Sequence, residues 1–149
     1  MQAGRRRLLK GGAALAFLAA LPKALFAAAW PRKAFLSTEG GPALSALLGT
    51  DETTPSDHIT LILPEIAENG AVVPVTIGTT LENVESISIV VEKNPRPLAA
   101  SFEVMPGVFP NLSSRIKMAE TSRVMAIVKT DTGIYSTSKD VKVTLGGCA

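Results

Sequence analysis

Seven short β-rich segments, separated by turn residues, run through residues 59–145 and leave little room for anything but a β-fold. The runs are 59–63, 71–77, 86–92, 101–105, 114–118, 124–129 and 134–145. Asn69-Gly70 marks a turn before the second run, Asn94-Pro95-Arg96-Pro97 a loop after the third, and Asp131-Thr132-Gly133 a turn before the last. Short strands at this spacing predict an antiparallel β-sandwich, an all-β fold. In the final run Tyr135, Thr137, Lys139, Val141, Val143 and Leu145 share one face, with Asp140, Lys142 and Thr144 opposite. Pro74 cannot donate to a strand ladder, so its run is expected at a sheet edge or a bulge. A short helix is expected over 42–48, with Pro42 in its first turn and Gly49 as its stop.

The N-terminal residues do not belong to this pattern. Arg5, Arg6, Arg7 and Lys10 precede an apolar stretch that ends at Ala27-Ala28-Ala29. A basic start, an apolar middle and a small-residue end form an export signal, with cleavage expected after Ala28 or Ala29. Gly4-Arg5-Arg6-Arg7-Leu8-Leu9-Lys10 fits a twin-arginine pattern, with Gly first and Leu in place of Phe. The apolar run is short for a membrane span of about 20 residues, and Lys23 interrupts its end. No membrane association is expected once the signal is removed. The domain organisation is therefore a signal peptide at 1–29, a β-domain at 30–145 and a short arm at 146–149.

Removing Arg5, Arg6, Arg7, Lys10 and Lys23 takes the fifteen basic side chains to ten, against thirteen acidic ones, a formal charge of −3. The basic character belongs to the signal, and nucleic acid is excluded as an expected partner. About 120 residues remain, enough for one domain with a modest core.

Cys148 is the only cysteine and follows Gly146 and Gly147. It has no partner for an internal disulfide. A lone thiol in an exported chain points to intermolecular pairing or to reactivity. The two glycines predict a hinge that carries it away from the last strand. Other chemistry lacks its residues. The single histidine, His58, reads as a surface or cap residue, and it does not make a catalytic pair with the cysteine. There is no CxxC for dithiol exchange. Gly40-Gly41 lacks the strand, spacing and lysine of a phosphate loop. Met105, Met118 and Met125 could join Cys148 as soft copper ligands, but their place in strand-like runs favours core packing. No cofactor, no metal site and no catalytic residue is expected.

The segments Trp-Pro-Arg-Lys-Ala-Phe (30–35), Ile-Ala-Glu-Asn-Gly-Ala-Val-Val-Pro-Val (66–75), Val-Glu-Lys-Asn-Pro-Arg-Pro-Leu-Ala-Ala-Ser-Phe (91–102), Arg-Ile-Lys-Met-Ala-Glu-Thr-Ser (115–122) and Val-Lys-Val-Thr-Leu-Gly-Gly-Cys (141–148) resemble the SoxY family. The resemblance implies an immunoglobulin-like sandwich in the periplasm that forms a heterodimer with SoxZ. It implies a non-catalytic carrier of thiosulfate-oxidation intermediates, with Cys148 as the covalent attachment site and Gly146 and Gly147 as a flexible arm. It further implies transient docking to the Sox haem enzyme, hydrolase and sulfur dehydrogenase. One departure stands out. The family pattern ends Gly-Gly-Cys-Gly-Gly, whereas Ala149 follows the cysteine here. The carboxylate beyond it is expected to disfavour the thiolate. Two other readings remain open: an exported structural sandwich joined into a disulfide-linked dimer through Cys148, and a periplasmic copper module.

Overall fold

The structure is a computed structural model that describes residues 30–144. Its chain order is α1 (Arg32–Leu36), α2 (Gly40–Leu48), β1 (Thr54–Pro55), β2 (Ile59–Ile62), β3 (Ile66–Ala67), β4 (Val73–Thr79), β5 (Val84–Val91), β6 (Leu98–Glu103), β7 (Asn111–Ile116), β8 (Ser122–Thr130) and β9 (Ile134–Val143). The strands form an all-β sandwich of two sheets. One has the order β1-β9-β8-β5-β6, with β3 also on β9, and the other has the order β2-β4-β7.

The core lies between the sheets. Val73, Val75 and Ile77 of β4 and Ile116 of β7 meet Ile87, Ile89 and Val91 of β5, Val124, Ala126 and Val128 of β8, and Val141 of β9. These positions alternate along each strand because successive side chains point to opposite faces. On β9 the predicted face holds at the places that matter: Val141 is fully buried, and Tyr135 and Val143 pack against the same core. Lys139, on that face by periodicity, is exposed.

The large sheet is also buried on its outer side, which the strand pattern did not announce. Val90, Leu98 and Ile127 pack there against Ala34 of α1 and Ala43 and Leu44 of α2. All five residues of Ile87-Ser88-Ile89-Val90-Val91 are buried, because both faces of β5 are covered, and the one polar member, Ser88, has its hydroxyl 3.0 Å from Ser101 Oγ. Helix α2 begins two residues earlier than expected and ends at Gly49. Gly49 has φ of 88°, a left-handed conformation that glycine adopts without a Cβ penalty, and its N–H donates to Ser45 O.

Pro74 requires a correction. It sits in β4, the middle strand of its sheet, and not in an edge strand or a bulge. Pairing of β4 with β2 ends at the Ile62–Thr76 rung. At Pro74 the strand therefore has one neighbour only, Arg115 of β7, and the missing N–H costs no second ladder bond. The methionines divide. Met118 is buried and Met125 packs under the helices, but Met105 lies past the end of β6 and is 65% exposed, so it is not a core residue. His58 is exposed. Its carbonyl accepts bonds from Thr80 N and Thr79 Oγ1, and its Nδ1 lies 3.1 Å from Thr80 Oγ1, so it ties β2 to the end of β4.

Candidate functional site: the base of the Gly-Gly-Cys segment

Gly146, Gly147 and Cys148 lie outside the described residues, as do residues 1–29 of the expected signal. The structure defines the platform from which the cysteine-bearing segment departs. That platform is the end of β9.

The antiparallel ladder between β8 and β9 stops at the Ser122–Val141 rung. Two further residues of β9 are held by other means. On one side, Val143 N donates to Thr121 Oγ1 at 3.0 Å, and the Thr121 hydroxyl donates to Val143 O at 3.4 Å. On the other, β3 pairs in parallel, Ile66 with Lys142 and Ala67 with Val143. Lys142 N donates to Glu65 O at 2.9 Å and Thr144 N to Ala67 O at 3.0 Å. Strand β1 occupies the same side of β9 at its other end, through Thr54–Tyr135 and Pro55–Ser136, with Thr53 Oγ1 2.8 Å from Ser136 Oγ. Two-residue strands thus cover an edge that would otherwise run unpaired along much of β9. Val143 is thus held from both sides, and Thr144, the last described residue, from the β3 side.

Three loops gather around this base. Residues 69–72 form the turn read from Asn69-Gly70. Ala71 N donates to Asn69 Oδ1 and Val72 N to Asn69 O. In residues 92–97, Asn94 Nδ2 donates to Lys117 O at 2.7 Å, and Asn94 Oδ1 accepts from Ala119 N at 2.8 Å. The third loop, 117–121, is closed by Met118 N donating to Gly70 O at 2.7 Å. Gly70 is needed for its size. A Cβ there would lie 2.5 Å from Met118 O and 3.0 Å from Val143 Cγ1. The loops leave a depression of about 520 Å³ lined by Gly70, Ala71, Asn94, Pro95, Arg96, Lys117, Met118 and Ala119. A larger one, about 730 Å³, lies at the opposite end of β5 and β8, by Asn83, Lys129 and residues 104–108, away from the C-terminal end of β9.

Three of the segments that carry the family resemblance, 66–75, 91–102 and 115–122, and the described residues 141–144 of a fourth, meet at this one end of the sandwich. Sequence reasoning singled out the cysteine and its glycines but missed Thr121, Asn94 and Gly70, which build the base. Their partners lie 22 to 25 residues away for Thr121 and Asn94, so no local pattern points to them. Among the described residues no group of three or more His, Cys, Asp or Glu side chains could hold a metal ion.

A family model described as sulfur oxidation protein SoxY matches residues 44–148, which include the whole base and the cysteine. The chain belongs to the SoxY family. The sulfur carrier protein SoxY from Chlorobium limicola f thiosulfatophilum has a similar structure. Its TM-score is 0.63 at 39% identity, over 69% of this chain and 94% of that one. The superoxide reductase (neelaredoxin) from Ignicoccus hospitalis aligns with a TM-score of 0.55 over 62% of this chain and 95% of its own, at 14% identity, a likeness of fold alone. No curated protein sequence matches the chain. The matched range takes in the core strands, the base and Cys148.

The Thr121 clamp gives a direct expectation. Thr121→Val keeps the branched shape and removes both bonds to Val143. The loss is about 1 kcal/mol. Hydrogen exchange should show the Val143 amide exchanging roughly five- to tenfold faster. Thr121→Ser should restore most of the protection. Unchanged exchange in Thr121→Val would mean that β3 alone fixes the base.

Proposed function

We propose that this chain is a covalent carrier of sulfur-oxidation intermediates, with Cys148 as the attachment atom. The observation that supports this best is the placement of the chain's one thiol. It lies five residues beyond Val143, a strand end held from both sides, with two glycines between. A fixed base with a glycine joint lets one sulfur atom enter narrow active sites of several enzymes while the body supplies docking surfaces. Covalent attachment keeps the intermediate from diffusing away between them.

The chemistry follows from the thiol. The Cys148 thiolate and thiosulfate join through a new S–S bond as two electrons pass to a haem enzyme, giving a cysteine S-thiosulfonate. Hydrolysis by a second protein adds water across the terminal S–S bond, releasing sulfate and leaving a persulfide. A dehydrogenase takes six electrons from the outer persulfide sulfur while three waters supply its oxygens, giving a sulfonate on the cysteine sulfur, and a second hydrolysis of that S–S bond releases sulfate and returns the thiol. The carrier holds and presents; none of the bond-breaking is its own. Its partners in this reading are a SoxZ subunit, in a heterodimer, and in passing the three enzymes. The basic residues Arg5, Arg6 and Arg7 ahead of an apolar run support export to the periplasm by the twin-arginine route.

One preparation tests both parts. Protein is recovered without reductant from the periplasmic fraction of cells fed thiosulfate, and its intact mass is taken. The expected chain begins at Ala29 or Trp30 and carries a sulfur adduct that reductant removes. Recovery only as a disulfide-linked dimer, with no sulfur adduct, would favour the structural reading instead. Copper in the purified protein would favour the metal module.

A further inference from the structure

The segment Met105-Pro106-Gly107-Val108-Phe109-Pro110 joins β6 to β7 and is stiff by composition. Pro106 fixes φ at the second position of a turn, and Gly107 takes the third with φ of 83°, the pattern of a type II turn. Val108 N closes that turn by donating to Met105 O at 3.1 Å. Around Pro110, Asn111 N donates to Phe109 O at 2.8 Å, and ahead of the turn Val104 N donates to Glu85 O at 2.9 Å. A loop held this firmly still turns large apolar side chains outward: Val108 is 58% exposed and Phe109 76%. Folding gains little from holding them there, and clustered exposed apolar groups mark interaction sites.

The loop forms one wall of the depression of about 730 Å³, with Leu47 and Leu48 of α2 and Val84 of β5 on other sides. Clefts that take ligands or partner side chains run from about 300 to 1,000 Å³. The charged lining residues are Glu85, Glu103, Asp131 and Lys129, three carboxylates against one ammonium, a net charge of −2. Lys129 is taken by Glu85 at 2.6 Å, and Asp131 accepts from Asn83 Nδ2 at 2.9 Å. Glu103 has no hydrogen-bond or ion-pair partner for its side chain among the described residues. Ser101 and Glu103 reach the depression from β6, the end strand of its sheet, with β5 on one side. Its other side is an open edge among the described residues.

These features select one occupant. The apolar walls suit a bulky apolar side chain, the carboxylates suit cations beside it, and the open edge suits an extended backbone. A second copy of the same face fits poorly, because it would set carboxylates against carboxylates. We propose that this end of the sandwich docks an extended segment of a partner protein, laid along β6, in which bulky apolar residues are flanked by lysines or arginines. The apolar side chains enter between Leu48, Met105 and Val108, and the cations face Glu103 and Asp131. The docked segment does not compete for the base of β9, which lies at the other end of β5 and β8. The inference does not depend on the role of Cys148.

The probe is a synthetic peptide, Lys-Lys-Val-Phe-Val-Lys-Lys blocked at both ends, titrated to millimolar concentration into the full chain kept reduced. Two control peptides replace every lysine with glutamate, or the Val-Phe-Val centre with Ser-Gly-Ser. Amide resonances and amide hydrogen exchange are followed. The lysine peptide should shift the amides of Ser101, Glu103, Met105 and Val108 saturably, and exchange along β6 should slow as a new ladder forms. Both controls should fail to do so. The double variant Glu103→Gln with Asp131→Asn should bind the peptide roughly tenfold more weakly, since two surface ion pairs are lost and tenfold corresponds to about 1.4 kcal/mol. Both positions are exposed, so the fold should be unaffected. The proposal is overturned by the absence of saturable shifts, by equal binding of either control, or by shifts without slower exchange on β6. Shifts of the same amides on concentrating the chain without peptide would overturn it too, because a second copy would then be the occupant.

Discussion

Cys148→Ser should reduce thiosulfate-dependent electron flow in a reconstituted Sox assay to background while leaving the fold unchanged. The chain has no other sulfur nucleophile, since Cys148 is its only cysteine and methionine has no ionisable thiol. A serine hydroxyl cannot form the S–S bond that holds the intermediate, and its alkoxide is inaccessible near neutral pH. The effect is therefore loss of function rather than slowing. The position lies four residues past the last described one, and two glycines precede it in the sequence. Stability should stay within about 0.5 kcal/mol of the parent, as for other changes away from a packed core. Circular dichroism and a denaturant titration would check the fold beside the assay. Retention of appreciable turnover in Cys148→Ser would remove the basis for a covalent carrier.

The largest effect on stability should come from Ile89→Ala. Ile89 is fully buried at the middle of β5, flanked by Ala100 of β6 and Ala126 of β8, and it faces the three-stranded sheet. Its small cross-strand neighbours cannot move in to fill the space, so most of the cavity would persist. The expected cost is about 3–4 kcal/mol, combining lost transfer energy with the cavity term. Ile62→Ala provides the control. Ile62 is 59% exposed on β2, and its truncation should cost about 0.5 kcal/mol or less. Urea unfolding of the two variants compares them directly. Similar midpoints would contradict the placement of the core between the sheets.

Much of the architecture was legible because its signals are local. The runs that became β2, β4, β5, β8 and β9 are rich in β-branched residues and bounded by turn chemistry. The end of α2 was readable because a left-handed stop favours glycine, and Gly49 supplies it. Elements set by tertiary contact were not legible. Strands β1 and β3 have two residues each and exist because β9 offers them an edge. Helix α1 has five residues and no side-chain cap, and it is held by burying Ala34 against the large sheet. Pro74 obeyed the physics of its missing donor but not the simplest consequence of it, because β2 ends before reaching it. Met105 sat in a strand-like run yet lies in the loop beyond β6.

The site divides in the same way. A single thiol behind two glycines is visible in the sequence, and family membership ties the chain to sulfur oxidation. The base that fixes where the segment starts is built from Thr121, Asn94 and Gly70 across long separations. Only the folded chain brings them together.

The account turns on whether sulfur from the substrate becomes covalently bound to one atom of this chain. The most direct measurement uses radiolabelled thiosulfate with the label in its outer sulfur, incubated with the chain and the haem enzyme under oxidising conditions. The protein is then denatured, separated without reductant and digested. The account predicts label on the peptide containing Cys148, released quantitatively by dithiothreitol and absent from Cys148→Ser. Label that washes away on denaturation, or that stays on the serine variant, would contradict it.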